Sequence, residues 1–447
     1  VIAFGDLYTQ GRELIAHRGI NPAIGASDPM ARRAGQGRNT AHEGAANSEY
    51  VYVHREPCKA PCALHRAQGT DDPLHFDPMP VSNEQSQPLT TSADIASRVR
   101  DFAGCDILAV DTEFNRTSTY RPQLCLVQLA ASSGDALIDM IAGADFSPLK
   151  TLLGDDPCIK LLHSGKQDLE ALQLTLGWLP NRVFDTQIAA GLLGHPPQAG
   201  YATLVEKVLG VKLDKSATRT DWSKRPLSDE QLSYAREDVI YLLELYAHLR
   251  DQLVAAGRYE WAQEDSQTML DPALYVVDPA AAWVRLGGLN RLPVPMQARA
   301  RRIAEWREAQ AQQADRPRQW VLSDKAIMNI ARANPGNSSE LGQVEEVPPA
   351  VARRQAQPLL AAVAQANEDL EKNTQDLKRE PRPEPTDNAA LKNLARLVGR
   401  QADALGVAPE LLATRKELTC LLRGEQDQRV TSGWRREVIG EVLLSAV

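Results

Sequence analysis

No apolar run in this chain approaches the roughly 18 residues that a membrane span needs, so no helical span is expected. The amino terminus lacks a basic stretch followed by an apolar one, and a secretory signal is not expected either. Cysteines are few, six in 447 residues. A disulfide-built scaffold is therefore not expected, and a reducing cytoplasm is the default location. Basic excess is lacking too: 50 Lys and Arg stand against 58 Asp and Glu, a net charge of −8. That argues against a uniformly basic nucleic-acid coat. It leaves room for a local basic groove, because catalytic carboxylates depress the total. What is present is an ordinary globular composition, 43% hydrophobic and 24% charged, in a length suited to about two to four domains.

Residues 1–78 are rich in Gly, Ala, Arg and His, with weak periodicity and turn-like clusters such as "GASDP". They read as a mostly disordered extension. The chain begins with Val1, and Met79 opens a stretch that reads as the start of a domain. Within the extension, His54, Cys58, Cys62 and His65 are zinc-compatible in type. Their spacing is irregular and no apolar residues surround them, so a solvated coil is preferred to a zinc site.

Periodic structure begins near residue 88. "TSADIASRVRDF" predicts a capped helix with Ile95, Val99 and Phe102 on one face. "DILAVDTEF", "LCLVQLAA" and "DALIDM" predict three strands, "CIKLLHS" a fourth, with helices at "FSPLKTLLG" and "KQDLEALQLTLG". The order βββαβα predicts an α/β fold, a mixed sheet flanked by helices. Helical patterns continue through "FDTQIAAGLLG", "YATLVEKVLG" and a long segment from "SDEQLSYAREDV". After about residue 285 strand signals stop. Residues 289–365 read as short helices carrying eleven Lys and Arg against seven Asp and Glu, opposite in sign to the whole chain. Residues 367–388 are charged and Pro-rich and read as a linker, and 389–447 as a further helical block.

The stretch "ILAVDTEFNR" ends an apolar strand in two acids, Asp111 and Glu113. Strand side chains alternate, so these two project to the same face. A frayed strand end in solvent explains them, and so does a cation held between them. Asp168 falls in the first turn of a helix after a later strand, where a simple cap is the alternative. Tyr234 and Asp238 stand at i and i+4 of the long helix and share one face. Four carboxylates from distant segments that converge at a sheet edge suit hard cations such as Mg²⁺ or Mn²⁺. Two such ions could activate a water for phosphodiester hydrolysis.

"DTEF", "HSGKQDLEAL" and "YAREDVIYL" resemble the three motifs of the DEDD exonuclease superfamily, in the subclass with Tyr in its third motif. "FDTQIAAGLLG" and "KSATRTDWSKRPLSDEQLSYAREDV" are similar to the ribonuclease D family within it. The helical C-terminal region resembles helicase-and-ribonuclease-D C-terminal (HRDC) modules. The resemblance runs from about residue 85 to the end. It implies a ribonuclease H-like exonuclease domain over 79–285, an HRDC-like helical domain over 286–366 and a second over 389–447. It also implies that Asp111, Glu113, Asp168 and Asp238 bind two divalent metal ions, while Tyr234 orients the attacking water. The reaction would be 3′→5′ hydrolysis of RNA, releasing nucleoside 5′-monophosphates. The substrate would carry a free 3′ end, as precursor transfer RNA does, and no obligate protein partner is evident.

Other residues have two readings. His163 reads as a strand-end hydrogen-bonder in preference to a catalytic group. Asp185 reads as a helix cap in preference to a support of the site, and Gln128 as an ordinary edge residue of the sheet. Around Trp222 lie Lys215, Arg219, Lys224 and Arg225. Lys215 and Arg219 could hold a phosphate backbone and Trp222 could stack a base, with a solvated loop and a core Trp as the alternative. Cys105, Cys125 and Cys158 read as core residues, not nucleophiles. A proofreading-type DNA exonuclease and an inactive RNA-binding module remain competing functions. The five intact acid and Tyr positions argue against the latter.

Overall fold

The computed structural model describes residues 87–214, 220–372, 385–425 and 428–447. The expected disordered extension and its His54, Cys58, Cys62 and His65 group lie outside these residues, as do Lys215 and Arg219. The described chain forms two compact units. One contains residues 87–277, 312–317 and 385–447, and the other 278–311 and 318–372.

The first unit is built on a five-stranded sheet. Helix α1 (Ser92–Phe102), capped by the Thr91 side chain, precedes β1 (Ile107–Asn115), β2 (Gln123–Ala131) and β3 (Gly134–Asp139). These three strands form an antiparallel meander. β4 (Ile159–Leu162) then pairs in parallel with β1, and β5 (Val183–Asp185) with β4, giving the order β3-β2-β1-β4-β5. The mixed sheet matches the expectation from sequence. β5 is a difference: its Phe184 and Asp185 open "FDTQIAAGLLG", which reads as one helix. They are too few to show a period-2 pattern, and Asp185 ends them by capping the helix that follows.

Strand alternation sorts β1 between two apolar layers. Leu108 and Val110 join a cluster with α1 and with Leu169 and Leu172 of α2 (Lys166–Leu176). Ile107 and Ala109 join a second cluster with α3 (Thr186–Leu192), α4 (Tyr201–Leu209) and the long helix α5 (Asp229–Ala255). Helix α5 starts in a capping box between Ser228 and Gln231 and runs 27 residues, about 40 Å at 1.5 Å per residue. Arg236 fixes it on the sheet through a two-pronged bond to the Asp135 carboxylate at 2.8 and 2.9 Å.

The C-terminal block departs from expectation. Helix α10 (Pro385–Leu405), numbered after those of the other unit, begins inside the segment read as linker. Its Leu391, Leu394, Val398 and Ala402 share one core with Phe184 of β5 and Val239 and Leu242 of α5. Trp434 stacks on Trp261 of α6 (Tyr259–Gln267) at 4.4 Å between ring centroids, and Arg435 pairs with Asp265. The block's apolar residues thus belong to the same core as the helices packed on the sheet. The other unit is all-helical, with α7 (Val294–Gln313), α8 (Asp324–Ala333) and α9 (Ala356–Glu371) around Ile303, Ile327, Ile330 and Leu359. No helix among the described residues is long and apolar enough to cross a membrane.

Candidate active site

The alternation that buries Ile107 and Ala109 toward α5 carries Asp111 and Glu113 to that same face. Asp238 meets them from α5. Ligand-capable atoms of Asp111, Glu113 and Asp238 all lie within 4.8 Å of one another. The register with β2 shifts between Glu113 and Phe114, where β2 carries one extra residue, Cys125.

Asp168 arrives from the opposite layer. Thr112, which points away from Asp111 and Glu113, donates its hydroxyl to Asp168 Oδ1 at 2.5 Å. Asp168 sits in the first turn of α2, and Asp185 steadies the turn before it. The Asp185 carboxylate accepts from Ser164 N and Gly165 N at 3.2 and 2.8 Å, while it caps α3 through Gln187 N and Ile188 N. Asp185 is therefore both the expected helix cap and a brace for the turn ahead of Asp168. Ser164 is left-handed there, with φ 59°.

Together the acids line a cleft of about 350 Å³ with His163, Gln167, Tyr201 and Tyr234. Their protonation reports crowding. Burial, then the charges of Asp168, Asp238 and Glu113, pushes Asp111 well above the carboxylate range. Burial, then Asp238 and Asp168, pushes Glu113 up to about 9. Burial raises Asp238 to about 7, against a hydrogen bond from Tyr234 that lowers it. Burial raises Asp168 to about 6, moderated by the Thr112 bond. Like charges this close favour protons or a cation. Clustered carboxylate oxygens are the donor set of hard divalent ions, so the residues fit such a metal.

Tyr234 lies one turn before Asp238, and its ring packs against Trp222, 6.1 Å between centroids. The expectation that Trp222 stacks a base is corrected. It is 3% exposed, in a small core with Leu126, Leu137 and Ala235, so a base cannot reach its face. Arg225 also turns inward, to the Asp139 carboxylate at 2.6 and 2.8 Å and the Cys125 carbonyl at 2.9 Å. Lys224 is exposed. His163 has both ring nitrogens engaged, Nδ1 with the Thr186 hydroxyl at 2.9 Å and Nε2 with the Ala199 carbonyl at 3.0 Å. Burial lowers its pKa, so it props the cleft wall. Gln128 is not an edge residue: it is fully buried between β1 and β3, opposite Asp111. Sequence reasoning missed Thr112 and Tyr201. Thr112 was legible from alternation alone, since the residue between two acids must face the other layer. Tyr201 donates to the Glu237 carbonyl at 2.9 Å, a contact that no local pattern encodes.

The model of a 3′-5′ exonuclease family matches residues 86–254, and that of the HRDC domain matches residues 296–363. A ribonuclease D of Granulibacter bethesdensis is 37% identical over 366 residues, 80% of this chain and 91% of that protein. A ribonuclease D of Pseudomonas paraeruginosa is 34% identical over 82% of this chain and 99% of that protein. The crystal structure of Escherichia coli RNase D, described as an exoribonuclease involved in structured RNA processing, aligns with a TM-score of 0.74. It is 34% identical, over 80% of this chain and 98% of that one.

Proposed function

The chain belongs to the ribonuclease D family, and on that premise we propose that it is a 3′→5′ exoribonuclease that releases nucleoside 5′-monophosphates from a free RNA 3′ end. The observation that carries this reading is the meeting of Asp111 and Glu113 from β1 with Asp238 from α5, beside Asp168 and Tyr234. Asp111, Glu113, Asp168 and Asp238 would hold two divalent cations, Mg²⁺ or Mn²⁺, which would supply charge neutralisation at the phosphate and a more acidic water. The Tyr234 hydroxyl, tied to Asp238, orients the water for in-line attack. A phenol is neutral near pH 7, so its part is positioning, not proton removal. Thr112 and Asp185 hold Asp168 in register by the bonds described above. The cleft's size falls in the range of small-ligand pockets, enough for one terminal nucleotide.

Precursor transfer RNA and other small structured RNAs in the cytoplasm are the substrates this reading favours. The helical unit, with its local basic excess over residues 289–365, would grip the RNA backbone. The test compares a 3′-extended RNA with the same sequence in DNA, with Mg²⁺ and with EDTA. Stepwise loss of 5′-monophosphates from RNA, abolished by EDTA, is expected. Preference for DNA, or tight RNA binding with no cleavage, would overturn it.

A further inference from the structure

Gln128 stands in the middle of β2 with its side chain 0% exposed, and neither polar atom of its amide has a hydrogen-bond partner among the described residues. Buried polar groups in folded proteins are hydrogen-bonded, and an amide left without partners costs stability. Its neighbours on the same face of β2, Leu126 and Ala130, are fully buried. Leu137, its partner on β3, clusters with Leu126 and with Ala235 of α5, while Ala130 clusters with Val239 of α5. Among such neighbours Leu or Met would fill the space with no unmet polar group.

The polar partner within reach is Asp111. Gln128 and Asp111 are directly opposite in the antiparallel β1–β2 pair, ahead of the shift in register. Opposite residues point to the same face, with Cβ atoms about 4.5–5.5 Å apart. The Asp carboxyl carbon lies one bond beyond its Cβ and the Gln amide carbon two bonds beyond, so the groups can close to hydrogen-bond distance. The other acids on this face stand diagonal to Gln128, about 7–8 Å away. Two of them, Asp135 and Asp139 of β3, are already held by arginines: Arg236 at 2.8 and 2.9 Å, and Arg225 at 2.6 and 2.8 Å. Glu113 is the third.

We propose that Gln128 is a positioning residue for Asp111: its amide nitrogen donates to one oxygen of the Asp111 carboxylate and holds that side chain in the rotamer that offers the other oxygen to a divalent cation. The inference rests on the reading of Asp111 as a metal ligand of an exoribonuclease. An ionised carboxylate only accepts hydrogen bonds, and an amide N–H is a donor that adds no charge to compete with the cation. A Lys or Arg opposite Asp111 would neutralise the carboxylate itself and oppose the metal. Asp168 shows the same device, since its fixed donor is the neutral Thr112 hydroxyl at 2.5 Å. Outer partners of this kind orient a ligand and set how tightly the metal is held. Gln128 is fully buried behind the cleft, so it acts through Asp111 and touches neither RNA nor the reacting atoms.

The test titrates Mn²⁺ into the metal-free full chain by calorimetry, for wild type and for Gln128→Met, beside urea denaturation of both in EDTA. Methionine keeps the length and removes the amide. Mn²⁺ affinity should fall roughly tenfold or more. The metal-free variant should unfold at the same urea concentration as wild type or a higher one, because two unbonded polar atoms are gone. Weaker metal binding without loss of stability is the signature of positioning. Unchanged Mn²⁺ affinity would overturn the proposal, and so would lost stability with affinity per folded molecule unchanged, the result of a merely structural Gln128. A crystal structure of the Mn²⁺-loaded wild-type chain decides the point even if the variant fails to fold. Gln128 Nε2 within about 3.2 Å of an Asp111 oxygen is expected. An amide bonded instead to a buried water or to another residue would overturn the proposal. Calorimetry needs no RNA, so weaker binding by the variant supports the inference even if the wild-type chain fails to cleave, a failure that would overturn only the exoribonuclease reading.

Discussion

Asp238→Asn should stabilise the metal-free protein at neutral pH and leave it unchanged in acid. In the folded chain burial raises this carboxyl to about 7, against about 3.9 for an unfolded Asp. Between those values the folded state keeps the proton and the unfolded state has lost it. Wild-type stability therefore falls, relative to the variant, as pH rises from about 4 to about 7, and the difference is flat above. Three units at about 1.36 kcal/mol each give a ceiling of about 4 kcal/mol. The observed value should be lower, about 2–4 kcal/mol, because Asp168 and the other acids share the uptake of protons and water screens the partly exposed carboxyl. Asn keeps the shape and an oxygen to accept from Tyr234. The assay is urea denaturation in EDTA from pH 4.5 to 8.5, read as the wild-type-minus-variant difference so that titrations away from the acid cluster cancel. A difference that is constant with pH, or of opposite sign, would refute the crowding of acids described here.

Tyr234→Phe should keep metal binding, measured by titration calorimetry, while single-turnover cleavage falls by roughly 10²-fold, since only the water-orienting hydroxyl is lost. Trp222→Ala should destabilise by about 3–5 kcal/mol in chemical denaturation, as a core truncation does, and weaken cleavage through the loosened Tyr234 ring. A Trp222 that binds RNA and does not support the fold would lower affinity with stability intact. Removal of residues 385–447 should lower the melting temperature and promote aggregation, because it bares Phe184, Val239 and Leu242. An unchanged melt would show that block to be independent.

The sheet and the acids were legible because their signals are local. Period-2 alternation in "ILAVDTEF" gives β1, its two faces and the common side of Asp111 and Glu113. The i, i+4 spacing gives the Tyr234–Asp238 pair. What the sequence hid depends on contacts between distant segments. The C-terminal block reads as a self-contained helical module, since amphipathic helices do not record which apolar surface they cover. Trp222 in a basic loop looks like a stacking platform, and only the closure of Leu126, Leu137 and Ala235 around it makes it core. The brace from Asp185 to Gly165 spans 20 residues of sequence, and the Thr112–Asp168 bond spans 56. Neither has a periodic trace.

The central claim is that Asp111 and Glu113 end their strand side by side because a bound cation neutralises them. Single-turnover cleavage of a 3′-extended RNA by wild type and Asp111→Asn, each titrated with Mg²⁺, tests it most directly. The substitution keeps the shape and removes one ligand charge, so activity at saturating metal should fall by at least about 10³-fold, within the several kcal/mol that metal-stabilised transition states involve. Cleavage by Asp111→Asn near the wild-type rate would make the pair a mere strand end and contradict the account.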